Sequence, residues 1–314
     1  MRDRLPNRHS ERFTPRATVI GAGKFGHAIA EIVSRQNIPT HLVTRSESRV
    51  EAIRQRLTRH SAALSVHKFG DAPLADIVFL ALPSNELPEM VGRLGAYPDI
   101  ADKQFALLSK GLTYPDGETP LELVSRTFGI DHAAVVTGPS LADELPHRTT
   151  HLAVASHNED LRHYLANMLA GDSIHTHESD DSTGVEWAGI AKNVATLGFH
   201  ARLAATNSRN DAGAYAAQLY SEIWEYAATL GAEPRSFIGI AGVGDLLTTS
   251  HAPTSRNVRA GQLIGKGHST GEAEARIKQT VEAFHTVPLL ARRIQSGVRI
   301  QELVDTLLST HKQS

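Results

Sequence analysis

Ala17-Thr18-Val19-Ile20-Gly21-Ala22-Gly23-Lys24-Phe25-Gly26 is the stretch on which the fold turns. A short β-prone run stops at three glycines, and residues 27–34 then show the helical spacing of Ala28, Ile29, Ile32 and Val33. The pattern reads as strand, tight turn and helix. In that setting Gly21 permits the turn, Gly23 lets a pyrophosphate approach the backbone and Gly26 lets helix and strand pack closely. The helix N-terminus, with Lys24 and Phe25 in the same turn, offers free N–H groups and a favourable dipole to phosphates. The alternative is a βα turn with no ligand.

Outward from this turn, strands and helices alternate. His41-Leu42-Val43-Thr44 is a second strand, residues 51–60 a charged helix, and Ile77-Val78-Phe79-Leu80-Ala81-Leu82 is apolar enough to be buried on both faces. Phe105-Ala106-Leu107-Leu108 runs into Ser109-Lys110-Gly111, and Ala133-Ala134-Val135-Val136 into Thr137-Gly138-Pro139-Ser140. Alternation of this kind predicts an α/β fold on a parallel sheet, with ligands gathered at the strand ends. From about Glu186 the texture becomes Ala-rich and helical. The expected organisation is a loose tail over residues 1–16, a dinucleotide-binding domain over 17–185 and a helical substrate domain over 186–314. An NAD-specific site usually has an acidic residue at the end of the second strand, about 20 residues on. Here the sequence reads Thr44-Arg45-Ser46. Arg45, with Ser46 and Arg49, could hold a 2′-phosphate, so NADPH is expected to be accepted at least as well as NADH. A solvated loop arginine is the alternative.

The 314 residues, 41% hydrophobic and 21% charged, exclude disorder, collagen and coiled coil as descriptions of the whole. A formal charge of −2 offers no global field for nucleic acid or an anionic membrane. The absence of cysteine removes disulfides, thiol catalysis and thiolate metal sites, and weakly favours the cytoplasm. Residues 1–16 carry five arginines and no apolar core, and are expected to be neither signal peptide nor anchor. The apolar run at residues 77–82 is far short of a membrane span, so no membrane insertion is expected. His175, His177, Glu178, Asp180 and Asp181 are ligand types in quantity, with both histidines on one face of a strand. No metal is expected there, because no spaced ligand framework accompanies them.

In the second half, residues 187–199 read as a buried helix with one anomaly, Lys192. Its neighbours one turn away are Ala188, Gly189, Ala195 and Thr196, all small, so the ammonium sits over a space that large side chains do not fill. The alternative is a lysine that lies along the helix and reaches solvent. Asp245 is the one charge within residues 237–249, and a lone carboxylate in such surroundings wants a cation, for which Lys192 is the candidate. Thr254 or Ser255 can cap a following helix whose first turn holds Arg256 and Asn257, a suitable seat for a phosphomonoester; a capped surface helix is the alternative.

In order along the chain, GAGKFG (21–26), SKG (109–111), TGPSLADE (137–144), GVEWAGIAKNV (184–194), AGVGDLLTT (241–249), SRN (255–257) and VE (281–282) resemble the glycerol-3-phosphate dehydrogenase family that uses NAD or NADP. The resemblance implies a Rossmann-type N-terminal domain, a C-terminal all-α domain, a homodimer, a role in phospholipid biosynthesis and reversible NADPH- or NADH-dependent reduction of dihydroxyacetone phosphate without a metal. It makes Lys192 the proton donor or acceptor, with Lys110 and Asp245 as catalytic partners. Gly138, Ser140, Asn193, Thr249, Ser255, Arg256 and Asn257 join Lys110 and Asp245 at the substrate. Pro83, Ala142, Glu282, Arg45, Lys110 and Arg256 join the glycine turn at the cofactor.

The chain departs from the family at four places. An Asn-rich, Tyr-Leu-Pro-type segment is missing or rewritten at residues 57–66, the region 206–215 lacks a Gly-Asp-Asn-Ala-Lys run, and Ala283 replaces the glycine after VE. The C-terminal end, which stops at Ser314, lacks the family's proline. A different phosphorylated ketone or aldehyde as substrate, a β-hydroxyacid or 6-phosphogluconate type of dehydrogenase, and a dinucleotide sensor without turnover are the other readings. The SRN segment favours phosphate, and the retention of Lys110, Lys192 and Asp245 argues against a sensor.

Overall fold

A computed structural model describes residues 16–57, 62–145 and 147–309. Nearly all of the expected tail over residues 1–16 therefore lies outside the described residues, as do part of the rewritten segment at 57–66 and the last residues of the chain. Eight strands form one sheet: β1 (Ala17–Ile20), β2 (Thr40–Thr44), β3 (Leu64–Lys68), β4 (Ile77–Leu80), β5 (Gln104–Leu107), β6 (Ala133–Thr137), β7 (Thr150–Ala155) and β8 (Ile174–Ser179). Their spatial order is β3-β2-β1-β4-β5-β6-β7-β8, and every neighbouring pair is parallel except β6 and β7. β1 lies between β2 and β4, with Ile20 in register with Val43 on one side and Leu80 on the other. Chain order reverses there, which opens the crevice where α/β sheets bind ligands.

Alternate residues of each strand enter opposite cores. Val19, Leu42, Phe79 and Val136 pack with the helices α1 (Lys24–Arg35) and α2 (Glu47–Leu57) on one face. Ile20, Val43, Leu80 and Leu107 pack on the other face with α3 (Leu87–Leu94) and α4 (Pro120–Phe128). The helix α5 (Glu159–Leu169) joins the first face through Leu161 and Leu165.

Two strands escaped the sequence reading. β3 begins inside the segment read as missing or rewritten at 57–66; its Leu-Ser-Val-His-Lys run is largely polar because it lies at the sheet's edge with Leu64 and Val66 turned inward. β7 is buried except at His151, and its Leu-Ala-Val-Ala core carries no alternation by which to tell strand from buried helix. The charged helix expected at 51–60 is α2, which begins earlier, at Glu47.

Beyond β8 no further strand occurs among the described residues. The helices are α6 (Ser182–Thr206), α7 (Arg209–Thr229), α8 (Pro234–Ile238), α9 (Asp245–Ser250), α10 (Arg256–Gly265), α11 (Thr270–Ile277), α12 (Glu282–Arg293) and α13 (Val298–Ser309), with a π-helical turn at Ile240–Gly244. α6 starts before the change of texture read near Glu186, because the Asp181 carboxylate caps it by accepting from the Gly184 N–H at 2.7 Å. Its buried faces join the core of the α3–α4 side, so sheet and helices share one apolar mass.

Trp187 is fully buried under the Arg293 guanidinium, which stands 5.1 Å from its ring centroid and holds both oxygens of Glu122 on α4. Burial pushes the neighbouring Glu186 carboxyl up to about 8, although the Leu121 N–H donates to it at 2.8 Å. α10 lies directly on α6: a Cβ added at Gly261 would stand 2.6 Å from the Leu197 carbonyl oxygen, and one at Gly265 would run into the Ala201 carbonyl.

Candidate active site

The glycine turn sits at the C-terminal end of β1. Gly21 has φ +116°, and a Cβ there would strike the Ala81 carbonyl; one at Gly26 would strike the Gly21 carbonyl. Around Gly23 nothing lies within 4 Å of a Cβ position. Gly23 is the N-cap of α1, no side chain caps it and the first turn carries no acid, so the leading N–H groups face an open cradle. The cradle fits a pyrophosphate. Gly23 has an ordinary φ of −79°, so Gly23→Ala should melt like wild type yet lose cofactor affinity by about tenfold. Gly26→Ala should instead lower the melting temperature outright, since overpacking against backbone costs ~1–3 kcal/mol or more. Calorimetry and nucleotide titration separate the two; equal melting losses would sink the distinction.

Lys110, in the loop after β5, and Lys192, on α6, converge on one carboxylate. Asp245 Oδ2 lies 2.7 Å from Lys110 Nζ and 3.2 Å from Lys192 Nζ. Lys192 also donates to Thr249 Oγ1 at 2.8 Å, and Thr249 donates to Asp245 Oδ1 at 3.2 Å. Lys192 is 5% exposed and Asp245 2%, so the lysine does not reach bulk solvent. The space that the sequence shows beside Lys192 is partly taken by the second lysine: the Lys110 stem passes 3.6 Å from where a Gly189 Cβ would be. Burial pushes the Lys192 ammonium down to about 8, Asp245 opposing and Lys110 adding to the fall. Burial alone would raise the Asp245 carboxyl, but the two ammonium groups together hold it below the usual carboxylate range.

Amides connect this cluster to α10. Asn257 Nδ2 donates to Asn193 Oδ1 at 2.8 Å, and Asn193 Nδ2 donates to the Lys110 carbonyl at 3.0 Å. Ser255 is the N-cap of α10 and makes no side-chain cap bond. Arg256 stands apart from the lysines, its guanidinium donating to the Thr280 carbonyl at 2.8 Å. The Gly138 carbonyl accepts from Ser140 Oγ at 2.9 Å and from Lys110 Nζ at 3.5 Å.

Among the residues expected at the cofactor, Glu282 at the start of α12 accepts from the Ser84 N–H, next to Pro83, at 2.8 Å. Lys24 in the glycine turn pairs with Asp143, beside Ala142, at 2.8 Å. Arg45 pairs with Glu86 at 2.7 Å, and Arg49 donates to the Ala22 carbonyl at 2.9 Å. Asp143 and Glu86 were not singled out in the sequence; both are ordinary surface acids until folding sets them against the turn and the end of β2.

At the opposite edge of the sheet, His151 Nδ1 lies 3.0 Å from His177 Nε2, with His175 stacked on His151. Among the described residues no group of three or more such side chains is disposed to hold a metal.

Two family models cover the chain in sequence: NAD-dependent glycerol-3-phosphate dehydrogenase N-terminus over residues 16–162 and C-terminus over residues 181–313. A glycerol-3-phosphate dehydrogenase (NAD(P)+) of Pseudomonas aeruginosa strain LESB58 is 31% identical over 287 residues, covering 88% of this chain and 84% of that protein. The chain belongs to the NAD-dependent glycerol-3-phosphate dehydrogenase family. The same-named protein of Pseudomonas putida strain F1 is 29% identical over 289 residues, with the same coverage. A crystal structure of the glycerol-3-phosphate dehydrogenase from Coxiella burnetii shares the fold, with a TM-score of 0.85 at 24% identity over 94% of this chain and 95% of that one. The Plasmodium falciparum glycerol-3-phosphate dehydrogenase structure follows with a TM-score of 0.80 at 15% identity, covering 94% of each chain. As a member of the glycerol-3-phosphate dehydrogenase family the chain is an NAD(P)-dependent oxidoreductase, with a Rossmann-type sheet and a helical C-terminal region.

Proposed function

We propose that this chain reduces dihydroxyacetone phosphate to glycerol 3-phosphate, reversibly, with residues 17–185 binding the cofactor and 186–314 the substrate. The observation that carries the reading is the single buried carboxylate of Asp245 holding two lysines at the sheet's ligand-binding end. When bound, the nicotinamide supplies the hydride to the C2 carbonyl. Lys192 Nζ gives the carbonyl oxygen its proton, and Lys110 steadies the charge that develops there. Asp245 and Thr249 keep Lys192 aimed. The N-terminus of α10, with Ser255, Arg256 and Asn257, holds the phosphoryl group, with Gly138 and Ser140 also at the substrate, and so fixes the ketone in reach.

Family membership further supports a cytoplasmic homodimer that feeds phospholipid synthesis. The region 206–215 joins α6 to α7, and its Tyr215 packs back against α6 at Gly198. It holds the Asn207 C-cap of α6 and the Ser208 N-cap of α7, roughly 20 Å along the helix axis from Lys192.

A panel of phosphorylated ketones and aldehydes with NADH and NADPH, followed by NAD(P)H absorbance, tests the reading. Turnover of another compound but not of dihydroxyacetone phosphate would mark a specialised relative. The proton donor adds a pH signature. Lys192 must be protonated for reduction and neutral for the reverse reaction, so kcat/KM for reduction should fall as pH rises through about 8 while that for glycerol 3-phosphate oxidation rises. A flat profile between pH 7 and pH 9 would exclude Lys192 as donor.

A further inference from the structure

The end of β2 lacks the acid that a ribose diol ordinarily meets, and offers Arg45 instead. The structure brings a carboxylate to the same place from another strand. Glu86 closes the short 3-10 turn Ser84–Glu86 after β4, and its Oε2 stands 2.7 Å from Arg45 Nη2. Because β2 and β4 flank β1, the pair bridges the crevice above the glycine turn. Glu86 Oε2 is screened from solvent yet accepts no aligned hydrogen bond, the guanidinium approaching off the donor axis. Of the other groups at this end of β2, Arg49 donates to the Ala22 carbonyl, and Ser46 and Ser48 share one hydrogen bond between their hydroxyls at 2.8 Å.

We propose that Glu86 is the cofactor-selecting residue of this chain: it supplies from the β4 turn the acid that β2 lacks, neutralises Arg45, and turns the site toward NADH and against NADPH. The Glu86 side chain is 27% exposed, so a ribose diol can donate to its other oxygen, Oε1, whereas a 2′-phosphate would meet like charge and find its arginine already bound. The effect reverses the parity expected from Arg45 alone. It rests on the dinucleotide reading of the glycine turn and not on the identity of the ketone.

The test is titration of the purified full-length protein with NADH and NADPH, and with 5′-ADP and 2′,5′-ADP, by calorimetry or fluorescence. Wild type should bind NADH about tenfold or more tighter than NADPH. Glu86→Gln should tighten NADPH and 2′,5′-ADP by about tenfold and weaken NADH, and Glu86→Ala should do the same, which guards against a defect of one variant. Adding Arg45→Ala to either should erase the gain in NADPH, since the freed guanidinium is what takes the phosphate. A wild-type ratio near unity or in favour of NADPH, or a ratio that Glu86 variants leave unmoved, overturns the proposal. Failure of dihydroxyacetone phosphate to turn over leaves it standing, because no ketone is present; binding of neither dinucleotide sinks both readings.

Discussion

Lys192→Ala should lower kcat for ketone reduction by about 10³-fold or more while leaving cofactor affinity within about twofold of wild type. A positioned general acid is worth roughly 10²–10⁴ in rate, and here the departing amine also removes one of the two cations facing the developing charge. The fold should tolerate the change, because Lys110 at 2.7 Å still satisfies Asp245 and the truncated side chain leaves no charge unpaired. Steady-state rates and nucleotide titration on the same preparation make the comparison. Near-normal turnover would remove Lys192 from the chemistry, and a parallel loss of cofactor binding would make it a structural residue.

The second large effect is expected at Asp245, and it is of a different kind. Asp245→Asn leaves the buried Lys192 and the half-buried Lys110 ammonium groups facing each other without their shared counter-charge, and breaking a buried ion pair costs about 3–5 kcal/mol. For a chain of this size that is a fall in melting temperature on the order of 10 °C. The kinetic consequence has a definite sign. Asp245 is the group that holds the Lys192 ammonium up against burial and against Lys110. Without it the lysine loses its proton at lower pH, so the alkaline limb of the reduction profile should move to the acid side of 8, and the variant should lose more activity at pH 8 than at pH 6. An unchanged profile with reduced stability would confine Asp245 to a structural role.

Both charges were legible before any coordinates because each is a lone ion in an apolar stretch, and burial makes a lone ion seek its opposite. What the sequence could not show is that Asp245 serves two lysines. Lys110 sits in a short polar turn after a strand, where nothing local distinguishes it from a surface residue, and only the stacking of α6 over the strand ends brings its stem across Gly189. The same holds for Glu86, which belongs to an ordinary polar turn until β4 sets it opposite β2. In the fold, the βα turn was readable because glycine spacing is dictated by backbone collisions that every such turn must avoid. β3 and β7 were not, one because edge position dilutes its apolar pattern and the other because the burial of its last four residues in a row erases alternation.

The contact of α10 with α6 through Gly261 and Gly265 acts as a gauge block between the proposed proton donor and the proposed phosphate seat. Helices separated by large side chains can slide as those side chains are exchanged over evolutionary time. Two helices resting main chain against main chain cannot, and the interval from Lys192 to the head of α10 is then set by bond lengths rather than by whichever aliphatic residues fill the interior. A lineage could exchange most of the aliphatic residues around this contact and still present the reacting carbon at the same reach.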